Sequence, residues 1–158
     1  MDQQIKDLEK ITKDLFSHLG FQVDFQIKKE AELVTIHLNS DEPGVLIGYH
    51  GQALNALQQM ITLMAFKKFG QWVRILVDVE DYREKRKEVL ERMAQSAAQK
   101  VKLSGQNEAF PPMSSFERRI IHLALADHPE VETISEGEGN QRHIIVKPAS
   151  PSQGGPKS

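Results

Sequence analysis

The sequence predicts an α+β protein of two small domains, each a sheet carried on helices. Three observations predict it. Apolar residues switch several times between a three-to-four-residue spacing and strict alternation. One full set of helices and strands is complete by about residue 80, and a second set, led by a long helix, ends by residue 148. Pro, Gly and Ser then dominate residues 149–158, a composition that cannot bury a core and predicts a disordered tail. The expected domains are therefore 1–80 and 81–148, with 149–158 as tail.

The elements follow in chain order. Ile5, Leu8, Ile11, Leu15 and Leu19 are three or four apart, which makes residues 3–19 an amphipathic helix stopped by Gly20. Phe21, Val23, Phe25 and Ile27 alternate with polar residues, as do Val34, Ile36 and Leu38, giving two half-buried strands around a polar turn from Lys28 to Glu32. Pro43 suits the first turn of a short helix through Val45-Leu46-Ile47. After Gly48-Tyr49-His50-Gly51 the helical period returns, with Leu54, Leu57, Ile61 and Met64 as the stripe, ending near Gly70. Val73, Ile75, Val77 and Val79 form a third strand. Tyr82, Arg86, Val89, Met93, Ala97 and Val101 share one face of a long helix, ended by Ser104-Gly105. Phe110 to Met113 is extended, because each proline disfavours helix before it. Ser114 and Glu117 read as a capping box for a helix through Ala126, with Phe116, Ile120 and Leu123 toward a core. Val131–Ile134 and His143–Val146 are two short strands around a Gly-rich hairpin loop.

Composition removes several classes. Hydrophobic residues are 39% and charged residues 27%, ordinary for a globular chain. The longest apolar stretch, near Met60 to Phe66, is too short to span a bilayer, and residues 1–20 do not read as a leader. With no cysteine there is no disulfide, thiolate nucleophile or cysteine metal site, and a cytoplasmic location is expected. The formal charge of −2 is unevenly spread. Residues 48–103 carry 10 Lys and Arg against 6 Asp and Glu, while 1–47 carry 5 against 9 and 104–158 carry 5 against 7. A basic middle between acidic ends suits a surface that meets a phosphate backbone, although a solvated helix has the same composition.

Gly48-Tyr49-His50-Gly51 is the first candidate site. Two glycines let the backbone approach another molecule closely, and the amides opening the next helix favour an anion. The same four residues also suit a plain tight turn. In its setting, with Val45-Leu46-Ile47 before it and Gln52, Leu54 and Leu57 after it, the segment resembles a type II KH domain over residues 3–80. The resemblance implies a three-stranded sheet with helices that binds single-stranded nucleic acid, the loop clamping the backbone and Val45, Leu46 and Ile47 flooring a groove for bases. Such loops often carry Lys or Arg between the glycines. Here Tyr49 and His50 stand there, so phosphate contact would fall to backbone amides, to Lys67, Lys68 and Arg74 and to a protonated His50, and Tyr49 would stack on a base or ribose.

Arg118 and His122 are the second candidate site, four apart on one helical face. A guanidinium beside an imidazole suits phosphate, though two surface polar residues need no function. Phe116 to His122, with Pro112-Met113 before it and Thr133-Ile134-Ser135-Glu136-Gly137 and Arg142 after it, resembles the R-3-H domain over residues 82–148. That likeness implies a small sheet with two helices that binds single-stranded nucleic acid through Arg118, Arg119, His122 and Arg142. The two domains in this order resemble the Jag family of bacterial RNA-binding proteins, without the extra N-terminal Jag domain that many members carry.

Enzyme signatures are missing: there is no phosphate loop of the Gly-x-x-x-x-Gly-Lys type, no nucleophile elbow and no His-Glu-x-x-His. His122, His128 and His143 have no compact carboxylate set beside them, and Asp78, Glu80 and Asp81 read as helix-opening acids. The expectation is a non-catalytic protein with no cofactor and no metal. Its main ligand is single-stranded RNA, with single-stranded DNA as an alternative. The resemblance further implies post-transcriptional regulation or RNA chaperoning tied to envelope growth or division, a small stand-alone KH protein as partner, and compatibility with a dimer. The competing reading is a protein-interaction adaptor that uses the long helix and leaves both loops vestigial.

Overall fold

The computed structural model describes residues 2–150, so most of the expected tail lies outside the described residues. The chain divides into two compact units, one up to Glu84 and one from Lys85 onward. The first holds α1 (Asp2–Leu19), β1 (Val23–Glu30), β2 (Leu33–Ser40), α2 (Pro43–Ile47), α3 (Gln52–Phe69) and β3 (Arg74–Val79). Helix α4 (Tyr82–Ser104) starts at its end and continues into the second unit, which adds β4 (Glu108–Ala109), α5 (Ser115–Leu125), β5 (Val131–Glu136) and β6 (His143–Pro148).

In the first unit the sheet order is β1-β2-β3, antiparallel between β1 and β2 and parallel between β2 and β3. Alternation decides which face is dry. Val34, Ile36 and Leu38 of β2 and Ile75, Val77 and Val79 of β3 are buried against Leu8, Leu15 and Phe16 of α1 and Leu54, Leu57, Ile61 and Ala65 of α3. Two expectations need correction. Lys28 to Glu30 are strand, not turn: Glu30 pairs with Leu33, and only Ala31 and Glu32 turn, Ala31 at φ 54°. Lys29 fits because its half-buried side chain runs to the Gln4 Oε1 at 3.2 Å. On α3, Ala65 and not Met64 continues the buried stripe, since it lies four residues from Ile61 and its small side chain lets the helix approach the sheet.

The second sheet is antiparallel in the order β4-β6-β5. Strand β4 is two residues long, too short for alternation to register, and the sequence reading missed it. The core joins Leu90, Ala94, Ala97, Ala98 and Val101 of α4 to Phe110, Ile120, Ile121, Leu125, Val131, Ile144 and Val146. The buried face of α4 is therefore turned by about one residue from the expected one, and Met93 is exposed. The chosen face is rich in alanine, which lets α4 pack closely.

Helix α5 holds the largest correction. Phe116 and Leu123, read as core, are 62% and 65% exposed, while Glu117 is 3% exposed. The Ser114 Oγ accepts from the Glu117 N–H at 3.2 Å, so that half of the capping box forms. The Glu117 carboxylate accepts from the Arg86 Nε at 2.8 Å. That ion pair brings the carboxylate inside, and with Glu117 inward the helix must turn Phe116 outward.

Candidate functional site

The Gly48–Gly51 turn is held by constraints on its glycines. Gly48 sits at φ 70°, ψ −170°, and a Cβ there would lie 2.7 Å from the Ala53 Cβ and 2.9 Å from its amide nitrogen. Gly51 is left-handed at φ 81°, and a Cβ would meet the Tyr82 ring at 3.0 Å. Between them His50 takes a left-handed conformation at φ 50°, uncommon for a residue with a side chain. This presses its ring on Tyr49, with centroids 3.9 Å apart and planes 22° apart. Tyr49 is 66% exposed. No side chain caps the first turn of α3, whose N-terminus carries the positive end of the helix dipole, and the Gln52 N–H donates to the Tyr49 carbonyl.

Behind the loop, Arg83 ties α3 to β3. It donates to the Val77 carbonyl at 3.0 Å, to the Asn55 Oδ1 at 3.2 Å and to the Gln58 Oε1 at 3.0 Å, and Gln58 also accepts from the Val77 N–H. Burial lowers the Arg83 guanidinium from its usual value, while Asp78 acts in the opposite sense. Scattered single polar residues carry this network, and no motif announced it.

The expected residues of the first unit separate into two groups. Val45, Ile47 and the loop with Gln52 lie together at the start of α3. Leu46 is 2% exposed and belongs to the core, so it supports the segment from below and is not a groove floor. Lys67, Lys68 and Arg74 are exposed at the other end of α3, roughly 22 Å along the helix axis at about 1.5 Å per residue. They are not part of the loop site. Beside them Phe66 and the 66% exposed Trp72 stack with centroids 4.3 Å apart.

The second unit does assemble its residues. The Arg118 Nη1 and the Arg142 Nε both donate to the Ser135 Oγ, each at 2.8 Å. Arg118 also reaches back to the Met113 carbonyl at 3.3 Å, and Arg142 to the Gly137 carbonyl at 3.5 Å. One turn along α5 the His122 Nδ1 lies 2.6 Å from the Thr133 Oγ1. Thr133 and Ser135 alternate onto one face of β5, which is how a strand presents two hydroxyls to a helix. Their role was legible only as part of the Thr133–Gly137 motif. Arg119 is exposed. Among the described residues no salt bridge reaches Arg118 or Arg142. Two guanidiniums converging on a neutral hydroxyl make a positive site suited to an anion with several oxygens. No cluster of His and carboxylates suited to a metal ion occurs among the described residues.

Burial first, and then the Arg118 charge, lowers the His122 pKa from the ordinary 6.5. Below about that value an unfolded chain binds the proton more readily than the fold does, so stability from neutral His122 is full above it and is lost as pH falls. The thermal-stability advantage of the protein over His122→Gln should therefore shrink between neutral pH and pH 5. An advantage that stays constant over that range would show that the ring does not titrate there.

The comparisons agree with this two-part architecture. Residues 6–79 match the KH domain model of KhpA/KhpB and residues 88–148 match the R-3-H domain model. The chain is thus a KH domain of the KhpA/KhpB type followed by an R-3-H domain. It belongs to the KhpB, or Jag, family. It is 38% identical over 147 residues to RNA-binding protein KhpB of Clostridium symbiosum, covering 92% of this chain and 64% of that one. To the KhpB of Bacillus subtilis (strain 168) it is 35% identical over 125 residues, 78% of this chain and 60% of the relative. To that of Lactiplantibacillus plantarum it is 36% identical over 128 residues, 81% and 40%. The chain spans less than two thirds of the length of these curated relatives.

Proposed function

We propose that this protein binds single-stranded RNA without catalysing a reaction. The observation that carries the reading is the pair of guanidiniums, Arg118 and Arg142, converging on the Ser135 Oγ with His122 beside them. A phosphodiester supplies the acceptors such a site lacks. The glycine loop adds the positive N-terminal end of α3 and an exposed Tyr49 ring, a surface for an unstacked base. The relatives' name, RNA-binding protein, supports the same ligand. In the cell we assign the protein to the cytoplasm, as a post-transcriptional regulator or RNA chaperone acting on envelope growth or division, with a small stand-alone KH protein as a partner. No helix among the described residues is long and apolar enough to cross a membrane.

Titration of a labelled single strand and of the matching duplex at two salt concentrations tests the reading. Single-strand affinity should fall several-fold to tens-fold on roughly quadrupling the salt, and duplex should bind more weakly. Salt-insensitive binding or none would return the protein to the adaptor reading.

The loop is separable from the fold, because Tyr49 projects into solvent. Tyr49→Asp with His50→Asp places two negative charges where phosphate is expected. RNA affinity should drop at least tenfold, about 1.4 kcal/mol, while stability moves by no more than about 1 kcal/mol. Full affinity in the folded variant would remove the loop from the site.

A further inference from the structure

Phe116 is an aromatic ring that the fold leaves in solvent at a position where its own helix had a core to fill. It is 62% exposed, and Leu123, two turns on, is 65% exposed. The other exposed rings are stacked within the molecule, Tyr49 on His50 and Trp72 on Phe66, whereas Phe116 has no ring partner among the described residues. Arg119, three residues on, is its cationic neighbour on the helix surface. At about 100° per residue, the exposed side of α5 runs from Phe116 and Leu123 through Arg119 to His122 and Arg118. Helical side chains lean toward the N-terminus, as Arg118 does in reaching the Met113 carbonyl five residues back. The Phe116 ring and the Arg118 guanidinium therefore lie at the same end of α5.

We propose that Phe116 is a base-stacking platform, which receives an unpaired base of the strand whose phosphate is held by Arg118 and Arg142. This rests on the RNA reading of that face and deepens it. Charge complementarity selects the occupant: an apolar ring on a helix that also carries Arg119 and Arg118, the latter sharing Ser135 with Arg142, suits a ligand that alternates flat apolar groups with anions, which single-stranded RNA does. Arg119 lies between the two anchors on the solvent side, where it meets the intervening phosphate. Stacking on Phe is tolerant of base identity, so the site contributes affinity without sequence preference.

The test uses the full chain and two ligands, a short labelled single-stranded RNA and an abasic sugar–phosphate strand of equal length. Phe116→Ala should weaken RNA binding about tenfold and leave the abasic strand within about twofold. Phe116→Trp should restore RNA affinity. Arg118→Ala should weaken both ligands. Unchanged RNA affinity in Phe116→Ala, equal loss on both strands, or failure of Trp to restore binding overturns the stacking role. In those cases the RNA reading itself survives if the wild-type protein binds RNA and Arg118→Ala weakens it. A wild-type protein that binds neither strand overturns both. Loss of self-association in Phe116→Ala with RNA affinity intact would make the ring a protein contact and also overturns the proposal.

Discussion

Arg86→Met should destabilise the second unit by about 3 kcal/mol. The Arg86 Nε donates to the Glu117 carboxylate at 2.8 Å, and the side chains are 20% and 4% exposed. The single substitution strips the guanidinium from a carboxylate that stays buried beside Ile120 and Ile121. Met matches the length of the Arg stem, so lost packing contributes little and the desolvated charge dominates. Pairing Arg86→Met with Glu117→Leu removes both charges together and should recover most of the loss, because apolar residues often replace a buried ion pair at no net cost. Amide exchange at Ile144 and Val146 reads the core of this unit directly. A double variant as unstable as the single would show that packing around Arg86, and not the charge, sets the effect.

The same ion pair explains where the sequence stopped being legible. Alternation in β2 and β3 and the 3.6-residue period in α1 each mark one apolar face, and these elements form where the pattern puts them, whereas α3 is apolar on several sides and its buried stripe ends on Ala65 instead of Met64. Helix α5 has two competing faces. Phe116, Ile120 and Leu123 form one apolar stripe, and Ile120, Ile121 and Leu125 form another that includes Glu117. Period alone prefers the stripe without a charge. The fold takes the other because Arg86, 31 residues earlier on α4, meets the carboxylate. That is a long-range pairing which no local pattern contains.

The two candidate sites differ for a related reason. Arg118 and His122 are four apart on one helix, so their proximity follows from helix geometry. Ser135 and Arg142 join them because the register of β5 with β6 pairs Glu136 with His143, bringing the chain back to the same edge. Lys67, Lys68 and Arg74 looked close to the glycine loop in sequence, yet an 18-residue helix lies between them and places them at its far end. Counting charge in a segment misses this, because a helix converts sequence distance into length.

Replacing both Arg118 and Arg142 with Ala should reduce affinity for single-stranded RNA by about a hundredfold. Each guanidinium contributes charge-assisted hydrogen bonds of about 1.5–3 kcal/mol, and the two share one site, so the sum is less than twice the larger value. The fold also loses contacts: Arg118 to the Met113 carbonyl and Ser135, Arg142 to Ser135 and the Gly137 carbonyl. Neutral partners and open surroundings hold that loss to about 1–2 kcal/mol, and Ser135 keeps access to water. Lys at both positions separates the roles. It preserves the charge but not the planar fork, so part of the RNA affinity should return while the bonds to Ser135 do not. The dependence of affinity on salt should also become shallower in the Ala variant by about two phosphate contacts and recover in the Lys variant. A double Ala variant that melts lower yet binds RNA with wild-type affinity and salt slope would make Arg118 and Arg142 a brace between α5 and β5, and would move the RNA contact elsewhere on the protein.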